Sequence, residues 1–404
     1  MTRLDLGTDA LPAVNTDVGL DAVAGVSLGV AVAAVKKPSS TRDDVLLLRV
    51  DGPHPAAAAV TTTSTAAAAP CLWTRARVPS TARGLLINSG NANAATGPQG
   101  VVDNAAMAAA AATALGLEPD DVLVCSTGVI GVPMPMDRLI PGIARAGALD
   151  ASGARAAGAI MTTDLVAKMA SVSHNGVTVG GIAKGSGMIH PGMATMLGAV
   201  VTDAWVAPAD LQGLVQEVCD RTFNAITVDG DMSTNDTLTV QATGAGVPCV
   251  PGTDAWRSLS DALEAVCRSL SQAIAADGEG ATCRIDVVVH GGPDDKQARA
   301  WARAVCGGSL VKSAIHGRDA NWGRVVGALG QAGAEGLDAL DLDFAGIAVV
   351  REGRPIPFDE AAATEALKAP VVTIHIRLPG SGRGLAWGCD LSAQYVAINA
   401  DYRT

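Results

Sequence analysis

Large aromatic side chains are scarce in this chain: three Phe, two Tyr and six Trp make up 3% of 404 residues. Apolar residues still reach 49%, so a sizeable core must close through small side chains and near backbone approach. Charge is sparse too, at 17% of residues, and its balance is -11. A surface that tracks phosphates needs an excess of Lys and Arg, so a nucleic-acid partner is excluded. No run of about 18 strictly apolar residues occurs, and Ala105 to Leu115 is too short to cross a bilayer. Asp5, Asp9 and Asp17 stand where a secretory signal would have a basic and then an apolar region. A cytoplasmic protein with no membrane partner is expected.

Metal and disulfide signatures are missing as well. The eight cysteines (Cys71, Cys125, Cys219, Cys249, Cys267, Cys283, Cys306 and Cys389) form no CxxC pair, and no HExxH occurs. Scattered reduced core thiols and no metal are the expectation. No GxGxxG opens an early βαβ unit, and no GxxxxGK[ST] cradles phosphates. No strand-to-helix GxSxG elbow with a downstream Asp and His offers a serine triad. Any nucleophile must be activated in another way.

What is present alternates short strands with Ala-rich or amphipathic helices. Leu46 to Val50, Gly84 to Asn88, Val122 to Cys125, Val177 to Ile182, Gly198 to Val201 and Cys283 to Val289 read as strands. Helices are expected from an Asp103 cap to Leu115, over Asp150 to Met161, Ala207 to Cys219, Thr253 to Ala275 and Asp294 to Val305. The terminal Tyr395 to Thr404 reads as an ordered strand. This order predicts an α/β (α+β) fold with mixed sheets flanked by helices. The polar glycine-rich stretch Asn88 to Gly97 can bring backbone N–H groups to a ligand, and Ser126 to Gly131 follows a buried strand.

One way to activate a hydroxyl without His is to make it N-terminal, so that its own α-amino group, with a pKa near ~8, serves as base. That requires cutting the chain in front of it, and Ala194-Thr195, behind Pro191 and Gly192, suits such a break. From pattern alone, a Thr after an Ala is more often structural. Here it lies in Lys184-Gly-Ser-Gly-Met-Ile-His-Pro-Gly-Met-Ala-Thr-Met-Leu197, which resembles the processing segment of the ornithine acetyltransferases, or glutamate N-acetyltransferases. Asn88 to Gly97, Ser126 to Gly131, Ile160 to Asp164, Asp229 to Thr237, Asp277 to Ala281, Gly317 to Arg324 and Tyr395 to Thr404 resemble further family motifs in family order.

The resemblance implies a precursor cut into an α chain, 1–194, and a β chain, 195–404, interlocked and paired as an α2β2 heterotetramer. Thr195 would take acetyl from N-acetylornithine and pass it to glutamate in a ping-pong scheme without added cofactor. Some members also use acetyl-CoA as donor. Thr127 and Gly128 match the family's oxyanion hole, although alone they would read as a strand-end turn. Thr162, Thr163 and Lys184 match substrate-binding positions, and a Lys suits the substrates' α-carboxylates. Glu279 fits a positively charged substrate group or the Thr195 amine; Asn399 and Thr404 match a C-terminal pair that returns to the site. Asp229, Asp231, Asn235 and Asp236 lack the distal Glu of a calcium loop and match a structural block near the site. Gly317 to Arg324 reads first as packing and turn chemistry.

Three departures stand out. Ala59-Val-Thr-Thr-Thr-Ser-Thr lacks the family's aromatic and its Asn or Arg, Ala320 replaces a common Pro, and Cys283 stands where Lys is common. They leave room for a relative of secondary metabolism with another amino acid as donor or acceptor. A self-processing amidohydrolase with the same nucleophile is the reading from another class.

Overall fold

The computed structural model describes residues 11–190 and 196–401. Ala194, Thr195 and Thr404, all expected at the site, lie outside the described residues. The architecture starts from the run Val45–Val50, in which neighbouring leucines serve opposite faces of one strand. Leu46 and Leu48 join one core, with Leu85, Ile87 and Leu123, while Leu47 joins another, with Leu86 and Val124. This strand lies inside a four-stranded sheet ordered Val26–Ala31, Val45–Val50, Gly84–Asn91 and Val122–Val129, whose last pair is parallel.

On one face of that sheet pack the helices Gly97–Leu115 and Met136–Ala146, through Met107, Ala108, Ala111, Leu139 and Ile143. On the other lies a second sheet, through Ile182, Leu197, Ala199 and Val201. Its five strands run in the order Ala56–Thr61, Thr237–Ala242, Leu197–Thr202, Val177–Lys184 and Lys168–His174. The far face of this sheet carries the helices Pro208–Arg221 and Asp254–Ala276. The result is helix, sheet, sheet, helix. A third sheet of seven strands, with Val371–Gly380, Arg284–Gly292 and Arg383–Cys389 at its centre, is covered by the helices Asp295–Gly307, Ser309–His316 and Trp322–Gln331.

These mixed sheets with flanking helices are the expected fold class, and all eight cysteines are buried free thiols. Several boundaries differ for physical reasons. The helix expected from Asp103 begins at Gly97 with a Pro in its first turn, so Asp103 sits inside it and accepts from Gln99 Nε2 at 2.8 Å. The helix expected over Asp150 to Met161 is Gly153–Ala159, set by a Ser152 cap that accepts from the Arg155 amide. Ala56–Thr61 is a strand despite four alanines, because pairing with Thr237–Ala242 overrides the weak strand preference of Ala.

The terminal block is a correction: Ala393–Asp401 is a helix, not a strand. Ser392 starts it, its Oγ accepting from the Gln394 amide at 3.2 Å and its carbonyl from the Tyr395 amide. Among the described residues, no helix is long and apolar enough to cross a membrane.

Candidate functional site

Parallel pairing of Gly84–Asn91 with Val122–Val129 sets the first wall of the site. The ladder breaks register around Gly90 and Asn91, opposite Thr127 to Val129, so the strand expected to end at Cys125 continues through the motif. Gly128 there has φ +134, and a Cβ on it would stand 2.3 Å from the Gly90 carbonyl carbon and 2.5 Å from the Asn91 nitrogen. Only glycine permits that backbone approach. Asn235 braces the same strand ends, donating from Nδ2 to Ala92 O at 2.6 Å and Ser126 O at 2.9 Å.

Lys184 ends the facing strand of the second sheet and is 4% exposed. Its Nζ donates to Thr127 Oγ1 at 3.2 Å, which leaves the Thr127 O–H to point elsewhere. Burial lowers the Lys184 pKa, opposed by the nearby Asp164. Burial would push Asp164 up, yet Lys184, then Lys168 and the Gly185 amide, hold it at about 2. Asp164 Oδ1 accepts from Lys168 Nζ at 2.7 Å and Gly185 N at 2.7 Å, while Lys168 also donates to Asp277 Oδ2 at 2.6 Å. Asp277 in turn closes the helix Asp254–Ala276, and Glu279 lies two residues on.

This buried network has a pH signature. A carboxylate whose folded pKa is about 2, against an ordinary 3.8, contributes stability that is full above about pH 4 and lost as pH falls through 2. Asp164→Asn is expected to lower neutral-pH stability by about 3 kcal/mol, because Lys168 and Lys184 lose a partner. Its stability should also vary less between pH 4 and 2 than the wild type's; denaturant titrations across that range check both.

Glu279 accepts from Asn399 Nδ2 at 2.9 Å, across 120 residues, so the C-terminal helix comes back to Glu279. Thr163 Oγ1 lies 2.6 Å from Ser186 Oγ, and Ser186 O accepts from the Glu279 amide at 2.8 Å. The chain on both sides of residues 191–195 is tied to the Asp229–Asp236 block. Asp229 accepts from the Met188 amide at 2.5 Å and the Ile189 amide at 2.8 Å, and Asp236 accepts from the Met196 amide at 3.0 Å. Tyr395 OH adds a donor to Asp229 at 3.3 Å.

A cavity of about 320 Å³ opens at this meeting point. Thr127, Gly128, Thr162, Thr163, Lys184, Glu279 and Asn399 all line it, so every expected site residue that is described reaches one space. Reasoning from the sequence placed Asp164, Asp277 and Ser186 in motif blocks without giving them a role and did not single out Lys168; these four tie the lining residues together. Lys168 and Asp277 are 109 positions apart, and no local pattern signals such a pairing. Among the described residues, no group of His, Cys, Asp or Glu could hold a metal ion.

The profile of the ArgJ family matches residues 27–404. An arginine biosynthesis bifunctional protein ArgJ of Symbiobacterium thermophilum is 49% identical over 397 residues, covering 96% of this chain and 98% of its own length. A protein of the same name from Parasynechococcus marenigrum is 46% identical, covering 92% of each chain. A crystal structure of an arginine biosynthesis bifunctional protein argJ from Bacillus halodurans is 42% identical over 50% of this chain and 96% of that one, with a TM-score of 0.49.

Proposed function

Since the chain belongs to the ArgJ family, we propose that it is an acyltransferase of arginine biosynthesis, moving acetyl from N-acetylornithine to glutamate through Thr195. The observation that carries this reading is the single cavity in which Thr127, Gly128, Lys184, Glu279 and Asn399 converge from four separate parts of the chain.

In this proposal, Thr195 Oγ first attacks the Ala194 carbonyl, and the peptide becomes an ester. Water hydrolyses the ester, leaving an Ala194 carboxylate and a free Thr195 amine. The ties from Asp229 to Met188 and Ile189, and from Asp236 to Met196, support the segment on either side of that bond. The two products, 1–194 and 195–404, stay together because their strands share a sheet: Leu197–Thr202 lies between Val177–Lys184 and Thr237–Ala242. Assembly into α2β2 and a cytoplasmic location complete the proposal.

In transfer, the Thr195 amine takes the hydroxyl proton as Oγ attacks the acetyl carbonyl of the donor. The developing oxyanion is met by the Thr127 hydroxyl and the Gly128 amide, with Lys184 fixing the hydroxyl's orientation. Ornithine leaves with the proton, and the glutamate amine then takes the acetyl from the Thr195 ester. Lys184 suits the α-carboxylate of either substrate, and Glu279, held by Asn399, suits an ammonium group. Thr162 and Thr163 supply hydroxyl partners on the same wall, and Thr404 is assigned to the substrate site on the family motif alone. Acetyl-CoA is a further donor for the same ester and needs no resident cofactor.

Rates with N-acetylornithine, other N-acetylated amino acids and acetyl-CoA, each with glutamate as acceptor, test the assignment. N-acetylornithine is expected among the best donors. A strong preference for another N-acetylated amino acid would instead favour the relative of secondary metabolism, and release of acetate without an acceptor would favour the amidohydrolase.

A further inference from the structure

The helix Asp254–Ala276 leads to the catalytic cavity at its C-terminal end and lines a different one further back. This second cavity, about 170 Å³, lies between that helix, the end of Pro208–Arg221, the start of Asp295–Gly307 and the strand Arg383–Cys389. Gly384 makes the arrangement possible: a Cβ there would stand 2.2 Å from the Ala298 carbonyl carbon, so the helix rests directly on the strand. Arg299 and Arg383 are thereby brought to one mouth.

The lining is unusual for a chain of net charge -11. Arg221, Arg268, Arg299 and Arg383 face only two carboxylates, Glu264 and Asp295. Glu264 is divided between two partners, accepting from Arg221 Nε at 2.9 Å on one oxygen and from Arg268 on the other. Asp295 accepts from the backbone amide of Arg383 at 2.9 Å. Arg268 Nε is buried with no hydrogen-bond partner, and its guanidinium lies 5.9 Å from the centre of the Trp387 ring. Among the described residues, no carboxylate forms an ion pair with Arg299. Arg303, whose pKa is lowered by burial, is lowered further by the charge of Arg299.

Converging guanidiniums in surplus over carboxylates are the usual means of holding a carboxylate or phosphate, through paired N–H donors. Leu385, only partly buried, adds an apolar surface to the same lining. The volume exceeds what one bare ion fills, since a water takes about 30 Å³ of liquid. We propose that this pocket binds a small aliphatic oxyanion, its carboxylate or phosphate held by Arg299 and Arg383 and its carbon body lying against Leu385. The site is separate from the catalytic cavity and does not depend on the reaction assigned there.

Calorimetric titration of the full protein with sodium phosphate and, separately, with succinate tests this at fixed ionic strength. At least one probe is expected to bind saturably, and Arg299→Ala should weaken it by roughly tenfold or more, as loss of a paired guanidinium does. The exposed Arg383→Ala should weaken it too, whereas Lys184→Met should not, which separates this site from the catalytic one. Acetyl transfer at saturating substrates, without added phosphate or succinate, should stay at the wild-type rate in Arg299→Ala. Binding of phosphate alone assigns a phosphate ligand, and binding of succinate alone a carboxylate. No saturable binding by either probe, or unchanged affinity in Arg299→Ala, would overturn the proposal.

Discussion

Gly128→Ala is expected to reduce acetyl transfer by roughly 1000-fold, the scale of losing a preorganised oxyanion donor. The cause is local. At φ +134 an L side chain is strained, and its Cβ would meet backbone atoms of Gly90 and Asn91 at 2.3 and 2.5 Å. Backbone cannot swing aside as a side chain tip can, so the paired strand ends must part, and the amide at 128 leaves its position. A stability loss of about 3 kcal/mol should accompany this, from backbone strain and overpacking together. Gly131→Ala is the matched control, because Gly131 also has positive φ (+77) but open space around its Cβ. It should cost about 1 kcal/mol and leave transfer nearly intact. Near-normal turnover in Gly128→Ala would remove this amide from the chemistry.

Lys184→Met is expected to lower kcat/KM by roughly 100-fold or more, as removal of a charged group in a buried site does. Two losses combine. Thr127 Oγ1 loses the donor that fixes its rotamer, and the cavity loses the one cation that lines it among the described residues. Met keeps the stem's volume, so the core between the two sheets stays filled. Asp164 keeps Lys168 at 2.7 Å, which limits the stability loss and separates a catalytic effect from unfolding. Steady-state rates beside a denaturant melt of the same sample decide the matter. Unchanged kcat/KM would mean that neither Thr127 nor the substrate depends on this ammonium.

How far the sequence could be read depended on the range of the interactions involved. Strands such as Val45–Val50 were visible because burial on both faces leaves a continuous apolar run. The helix ends at Gly116, Thr253 and Asp294 were visible because caps are local chemistry. The expected site residues were read from motif blocks, and the cavity gathers those that are described. Positioning was not visible. Lys168 reaches Asp277, and Asn235 reaches Ser126, across more than a hundred positions. The C-terminal helix was misread for a related reason: Tyr395 and Asn399, one turn apart, face Asp229 and Glu279, a contact that periodicity alone cannot reveal.

Everything proposed for catalysis passes through Thr195 as a new N-terminus. Intact mass of the denatured protein, before and after exposure to N-acetylornithine without glutamate, tests that directly. Two fragments meeting at Ala194/Thr195 are expected, with the mass of one acetyl group appearing on the fragment that begins at Thr195 and disappearing when glutamate is added. Thr195→Ala should remain one uncut chain that takes no acetyl. A single uncut wild-type chain with full transfer activity, or an acetyl group carried elsewhere, would contradict the account.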